Sequence, residues 1–241
     1  MCTVTIIPKG KNDFILTSNR DEAPNRTSLP PKFYAIKKTR LLFPMDKQSG
    51  GTWIGLSENN RMVCVLNGGL VRHEFEQNYR LSRGIIALDF MISENILKTI
   101  DAYDLNAIEP FTMVIVDWNT TLKFYELVWD GVEKNLQELP LEPRIWSSTT
   151  LYNAPMKQER LQWFEDFKTE NNLDAQSVLR FHKSAGDGNK DYGVIMNRGF
   201  VKTTSITQIE KFDESLEMYY ENLQNKKISS KSFHLPEIVN E

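Results

Sequence analysis

The residue types best suited to chemistry stand at the front of the chain. Cys2 follows Met1 directly. Initiator methionine is commonly removed when the next residue is small. Removal leaves one residue carrying both a thiol and an α-amino group of pKa about 7.7–8.0. Such an amine can take the thiol proton near neutral pH, directly or through water, so the nucleophile needs no histidine. The plain alternative is a small residue that opens a strand. A second group, Ser18-Asn19-Arg20-Asp21-Glu22, closes the next apolar stretch. There Asp21 could hold the amino group and Arg20 could favour a thiolate; otherwise these residues are a polar turn with a surface ion pair. Asn67 and Asn153 each end an expected strand before a small-residue or proline turn. An amide N–H aimed at a developing oxyanion stabilises it strongly, although asparagine is also a common turn former. Together the four features weaken the plain alternatives.

These residues need elements to position them. Val4 and Ile6 alternate with Thr3 and Thr5, a turn follows at Lys9 to Asp13, and Phe14 to Ser18 return as the second strand of a hairpin. That pairing makes Cys2 a near neighbour of the Asn19–Asp21 segment. A long polar loop is expected from Asp21 to about Lys38, where Pro24, Pro30 and Pro31 forbid a regular helix. A second hairpin runs from Thr52 to Asn67 with its turn at Glu58 to Arg61. Helical spacing then takes over at Leu81, Ile85, Leu88 and Met91, and again at Ile96, Ile100 and Tyr103. Strands resume at Thr112 to Val116, Lys123 to Val128 and Arg144 to Thr150. Pro155 suits the first turn of a helix that Arg160, Trp163, Phe164 and Phe167 fit. Asp174 reads as the N-cap of another helix through His182. A closing hairpin is expected over Gly193–Met196 and Phe200–Ile209, turning at Asn197-Arg198-Gly199. The order is strands, two helices, strands, two helices, strands. That suits a layered α+β protein and not alternating βαβ units. One domain over residues 1–223 is expected, with a polar tail over 224–241.

Composition narrows the class further. The chain has 241 residues, 40% of them hydrophobic, with 29 basic and 32 acidic residues for a net charge of −3. Near-neutral charge argues against a general nucleic-acid or acidic-membrane binder. Two cysteines, Cys2 and Cys64, make no disulfide scaffold, and three scattered histidines suggest no metal cluster. No cofactor is implied. Neither a signal sequence nor a membrane-spanning stretch is evident, so a cytoplasmic location is expected.

At the motif level, Met1-Cys2-Thr3, Asn19-Arg20-Asp21-Glu22, Gly51-Thr52-Trp53-Ile54-Gly55 and Val65-Leu66-Asn67 together resemble the NRDE family, also called the transport and Golgi organisation protein 2 family. The resemblance is strong over roughly the first 80 residues and looser to about residue 205. That family is similar in turn to the N-terminal-nucleophile (Ntn) hydrolases of the choloylglycine hydrolase and penicillin V acylase type. The resemblance implies a four-layer αββα sandwich with mainly antiparallel sheets. It implies Cys2 as nucleophile, Asp21 as the aspartate beside it, Asn67 as oxyanion asparagine and Asn153 as a second asparagine. Asn19, Arg20 and Glu22 fall in the same segment as supporting residues. Two arginines depart from the pattern. The hydrolases carry one three positions before the aspartate, where this chain has Ser18, and Arg20 on a strand would point away from Asp21's face. Their late arginine has no clear counterpart, although Arg198 and Lys202 lie in its region.

The leading reading is a cysteine Ntn hydrolase, an amidase acting on a linear amide of a small acyl substrate. Its competitor is a non-catalytic protein on the same scaffold that binds or moves a small molecule related to lipid, haem or coenzyme A. The expected partner is thus an acyl amide or an apolar ligand, with a homo-oligomer left open. Trp53, Phe75, Tyr79, Trp118, Trp129, Trp146 and Trp163 could line an apolar pocket, though aromatic residues on strands are more often core. His73 reads as an exposed loop residue. A papain-type protease lacks a histidine partner for either thiol, and a nuclease lacks both basic patch and paired carboxylates.

Overall fold

Alternation of apolar and polar residues carries the chain into strands β1 (Thr3–Lys9) and β2 (Asp13–Glu22), a hairpin in which Thr3 lies opposite Asn19. A computed structural model describes residues 3–74 and 78–234. Met1, Cys2 and Phe75 therefore lie outside the described residues.

The expected loop after Asp21 is where structure and expectation part. It contains β3 (Ser28–Ile36), which pairs with β4 (Thr39–Asp46). Prolines forbid a helix but not an edge strand, and β3 has only one neighbour. Its register slips between Leu29 and Lys32, where Pro30 and Pro31 sit. Next come β5 (Ile54–Ser57) and β6 (Arg61–Asn67), the second hairpin as read, then α1 (Arg83–Ile92) and α2 (Ile96–Ala102). Strands β7 (Phe111–Asp117), β8 (Lys123–Trp129) and β9 (Lys134–Leu139) follow, then β10 (Arg144–Ser147). Helix α3 (Ala154–Glu170) has Pro155 in its first turn, and α4 (Ala175–Ser184) starts at a capping box made by Asp174 and Ser177.

The C-terminal third also differs. Only an isolated bridge, Asn197 to Lys202, stands where a hairpin was expected, and the long strand is β11 (Lys202–Phe212). It pairs with β12 (Ser215–Asn222), and β13 (Lys227–His234) continues the sheet in the region expected to be a loose tail. An outer strand needs backbone partners on one side only, so a polar sequence can occupy it.

The strands form two sheets, β10-β1-β2-β11-β12-β13 and β3-β4-β5-β6-β7-β8-β9, with every pairing antiparallel. Period two sorts the side chains. Val4, Ile6, Phe14 and Leu16 meet Leu42, Leu56, Cys64 and Val114 between the sheets. Ile7 and Ile15 face the other way, against Phe164, Val178 and Phe181 of α3 and α4. Phe43, Val63 and Ile115 pack under Ile86, Phe90 and Met91 of α1. The result is a four-layer αββα sandwich, as the family resemblance implied. Most of the aromatic residues considered for a pocket are core instead: Trp118 and Trp146 pack on the inter-sheet cluster, Trp129 belongs to the outer one, and Trp163 of α3 packs on the cluster between the helices and the first sheet. Among the described residues no helix is long and apolar enough to cross a membrane.

Candidate active site

The end of the first sheet that holds Thr3 gathers polar groups on both faces. Asn19 and Asp21, two apart on β2, share the face covered by α3 and α4. The Asn19 amide donates to the carbonyls of His182 (3.0 Å) and Val194 (2.7 Å), and its oxygen lies 2.7 Å from His182 Nδ1. With both amide protons so used, Asn19 Oδ1 must accept, so His182 carries its proton on Nδ1. Nε2 then accepts from Thr5 Oγ1 at 2.8 Å. Asn19 is thus committed to holding α4 on the sheet.

His182 is fully buried and neutral. Burial first, and the positive charge of Arg160 second, lower its pKa from 6.5 to about 3. The unfolded chain binds a proton there below pH 6.5, whereas the folded protein resists doing so until about 3. This contribution is therefore complete above pH 6.5 and is lost as pH falls through that window. Urea unfolding of wild type and His182→Gln at about pH 6.5 and 4.5 should show wild type losing about 2–3 kcal/mol more than the variant. Equal losses would remove His182 from the acid response.

Asp21 is buried, accepting from Tyr152 Oη and Thr203 Oγ1, each at 2.6 Å. Tyr152 stacks on Arg160, whose guanidinium carbon is 4.1 Å from the ring centroid. Arg160, fully buried, donates to Ser147 Oγ (3.0 Å), Thr3 Oγ1 and the carbonyls of Tyr192 (2.7 Å) and Gly193 (3.3 Å). One side chain of α3 thereby ties together the start of β1, the end of β10 and the chain before β11.

Arg20 faces the other sheet, as strand alternation requires. Its Nη2 donates to Asp46 Oδ2 at 2.6 Å, and its guanidinium lies 4.6 Å from the Trp53 ring centroid. Burial lowers its pKa, opposed by Glu22 and Asp46. Asp46 at the end of β4 also accepts from Arg26 Nε at 2.8 Å. Burial alone would raise the Asp46 pKa, but the Ser49 backbone N–H, Arg26 and Arg20 outweigh it and hold the carboxyl below its usual range. Glu22 reaches Arg26 at 3.4 Å and Arg20 at 3.6 Å.

These groups border a cavity of about 120 Å³ that also holds Trp53, Asn67, Arg83 and Glu109. Beyond it, an open groove of about 630 Å³ shares Asn67 and Glu109 and adds His73 and Thr150. The Asn67 carboxamide makes no hydrogen bond among the described residues, whereas its backbone oxygen accepts from Ser148 Oγ at 2.8 Å. Gly68 follows at φ +87°, and a Cβ there would lie 3.1 Å from Thr149 and Thr150, so the 148–150 segment can dock closely on this strand end.

The Gly51-Thr52-Trp53 stretch has a structural reason. A Cβ on Gly51 would stand 2.5 Å from the Gly84 carbonyl carbon, and Thr52 N donates to Gly84 O at 3.3 Å. That close approach brings the N-terminus of α1, with Arg83, into the cavity wall.

The expected site residues thus fall into three places. Arg20, Glu22 and Asn67 border the cavity; Asn19 and Asp21 lie on the opposite face of β2; Asn153 stands apart, exposed, its side chain capping α3 through Met156 N at 3.0 Å. Neither late cation joins the cavity. Arg198 binds the carbonyls of Asp191 (2.8 Å) and Leu151 (3.0 Å), and Lys202 lies opposite Glu22 in the sheet. Cys64 is fully buried, and burial pushes its thiol up to about 12, which makes it inert. His73 is largely shielded, 3.5 Å from Glu109. No group of three or more His, Cys, Asp or Glu among the described residues is placed to hold a metal ion.

Asp46, Arg83 and Glu109 carried no local signal, since separate elements bring them together. Arg160 had one: it is a charged residue on the apolar face of α3.

Residues 1–232 match the family model described as Transport and Golgi organisation 2. No curated protein matches the chain. Among solved structures, penicillin V acylase from Agrobacterium tumefaciens is similar with TM-score 0.60 and 11% identity, covering 98% of this chain and 87% of that one. A variant of conjugated bile acid hydrolase from Clostridium perfringens gives 0.52 and 12% over 100% of this chain and 99% of that one. The N-acylethanolamine-hydrolyzing acid amidase orthologue of Caenorhabditis elegans gives 0.51 and 11%, covering 86% and 92%. At such identities the likeness is one of fold.

Proposed function

The chain belongs to the Transport and Golgi organisation 2 family, and on that premise we propose that it is a cysteine Ntn hydrolase cleaving a linear amide of a small acyl substrate. The observation that carries the reading is the Asn67 carboxamide, which has no hydrogen-bond partner among the described residues and borders the same cavity as Arg20. Arg20 follows Asn19, the residue opposite Thr3, and Cys2 immediately precedes Thr3 in the sequence.

In this mechanism loss of Met1 frees the Cys2 amine, which takes the thiol proton. The thiolate attacks the amide carbon, and the resulting oxyanion accepts from the Asn67 N–H. The carbon–nitrogen bond then breaks, with the ammonium proton passing to the departing amine. Water, deprotonated by the same amine, releases the acyl group from the thioester. Asp21, its two oxygens fixed by Tyr152 and Thr203, orients the charged amine. Asn153 spends its oxygen on the α3 cap but keeps its N–H donors; oxyanion binding is assigned to Asn67 because that residue borders the cavity. Arg20 and Glu22 belong to substrate recognition. A non-catalytic carrier of an apolar ligand fits less well, because the cavity beside Asn67 is walled by charges.

Intact mass and thiol titration test the reading. The expected result is a chain lighter by one methionine residue, with alkylation at Cys2 alone and an apparent thiol pKa below the free value of about 8.5. Hydrolysis across a panel of acyl p-nitroanilides should disappear in step with alkylation. Quantitative retention of Met1 in protein from its native host, or hydrolysis that survives complete alkylation, overturns it.

A further inference from the structure

The cavity bordered by Asn67 is small and electrically balanced. Three arginines, Arg20, Arg26 and Arg83, face three carboxylates, Glu22, Asp46 and Glu109. At about 120 Å³ it has room for about four waters, which suits a compact head group and not an acyl chain.

Its charges are not equally committed. Asp46 is saturated: besides Arg20 and Arg26 it accepts from the backbone N–H groups of Gln48 and Ser49, each at 3.0 Å, and from Ser49 Oγ at 3.3 Å. Glu22 accepts from Ala23 N at 2.9 Å, and its other oxygen lies at 3.4 and 3.6 Å from two arginines, too far for strong hydrogen bonds. It keeps capacity for a cation.

A positive wall stands in the same cavity. Arg83 opens α1, a ten-residue helix with no acidic residue in its first turn, and Ser82 at the N-cap makes no side-chain capping bond. The positive end of the helix is therefore uncompensated locally. Two buried hydrogen-bonding atoms on lining residues, Ser82 Oγ and the indole N–H of Trp53, have no partner among the described residues. Among the described residues Arg83 makes one ion pair, to Glu109 at 3.0 Å, and donates to the Pro110 carbonyl at 3.3 Å.

We propose that this cavity takes a zwitterionic head group of the α-amino-acid type, its carboxylate toward Arg83 and the start of α1 and its ammonium toward Glu22. A lone anion or cation would leave a net charge in this narrow, charge-lined space, whereas a zwitterion keeps the balance. Because Asn67 borders both cavity and groove, the scissile carbonyl falls at their junction. The substrate class is then an ω-amide of an α-amino acid, with the departing amine in the open groove. This substrate assignment rests on the hydrolase reading; the head-group site itself does not.

Calorimetric titration of full-length Cys2→Ala, which cannot turn over, tests it with four probes. These are L-glutamine, its N-acetyl derivative, its α-carboxamide and hexanamide. Glutamine is expected to bind at least about tenfold more tightly than the other three. Glu22→Gln, at a half-buried position, should erase the preference over the N-acetyl derivative, and Arg83→Gln the preference over the α-carboxamide. Equal binding of any probe lacking one charge, or no binding of glutamine, overturns the proposal. Tight, charge-dependent binding without turnover in the wild type would instead sink the hydrolase reading alone.

Discussion

Replacing Arg160 by methionine is expected to remove about 3–5 kcal/mol of folding stability, among the largest losses for any single change in this chain. The guanidinium is fully buried and donates to two hydroxyls and two carbonyls from three separate segments. Methionine fills much of the volume but leaves those oxygens without donors in a dry layer. Lysine keeps the charge yet cannot reproduce the planar fork, so it should recover only part of the loss. For a chain of this size the methionine variant should melt about 10 °C lower. Urea midpoints at constant slope measure the effect. A loss below about 1 kcal/mol would mean that the network relaxes around the gap. Because Arg160 holds Thr3 Oγ1, the damage falls on the start of β1, next to Cys2 in the sequence.

Asn67→Ala should do the opposite: it should leave the fold nearly intact and remove the chemistry. The carboxamide bonds nothing among the described residues, and only the backbone oxygen, which alanine retains, anchors Ser148. Stability should change by no more than about 0.5 kcal/mol. With an amide found by the p-nitroanilide panel, kcat should fall by about 10²–10³-fold with KM little altered, since the lost hydrogen bond forms only as the oxyanion develops. A rise in KM at unchanged kcat would make Asn67 a ground-state binding residue and return oxyanion stabilisation to another donor.

Much of the frame is legible from local rules. The β1–β2 hairpin follows from the alternation of Val4 and Ile6 and from the turn around Gly10. The start of α4 follows from Asp174, and the shared face of Asn19 and Asp21 from their spacing of two. Strands β3 and β13 are not legible in this way. Pro30 and Pro31 in one, and the serines and lysines of the other, resemble loop because an outer strand is stabilised by backbone bonds to a single neighbour and needs little apolar alternation.

The same division runs through the site. Sequence by itself determined the nucleophile candidate, the polar end of β2, Asn67 at a strand end and the layered α+β order, because each depends on residue type and short-range period. Only the tertiary structure decided that Arg20 meets Asp46 and Trp53, that Arg83 reaches the same cavity through the Gly51–Gly84 approach, and that the Asn153 oxygen caps α3. It also decided that the lining is mostly charged and polar, with Trp53 its one aromatic residue among the described residues. Such contacts join residues far apart in the chain, and which side chains share a cavity is set by how sheets and helices stack, a property no local period records.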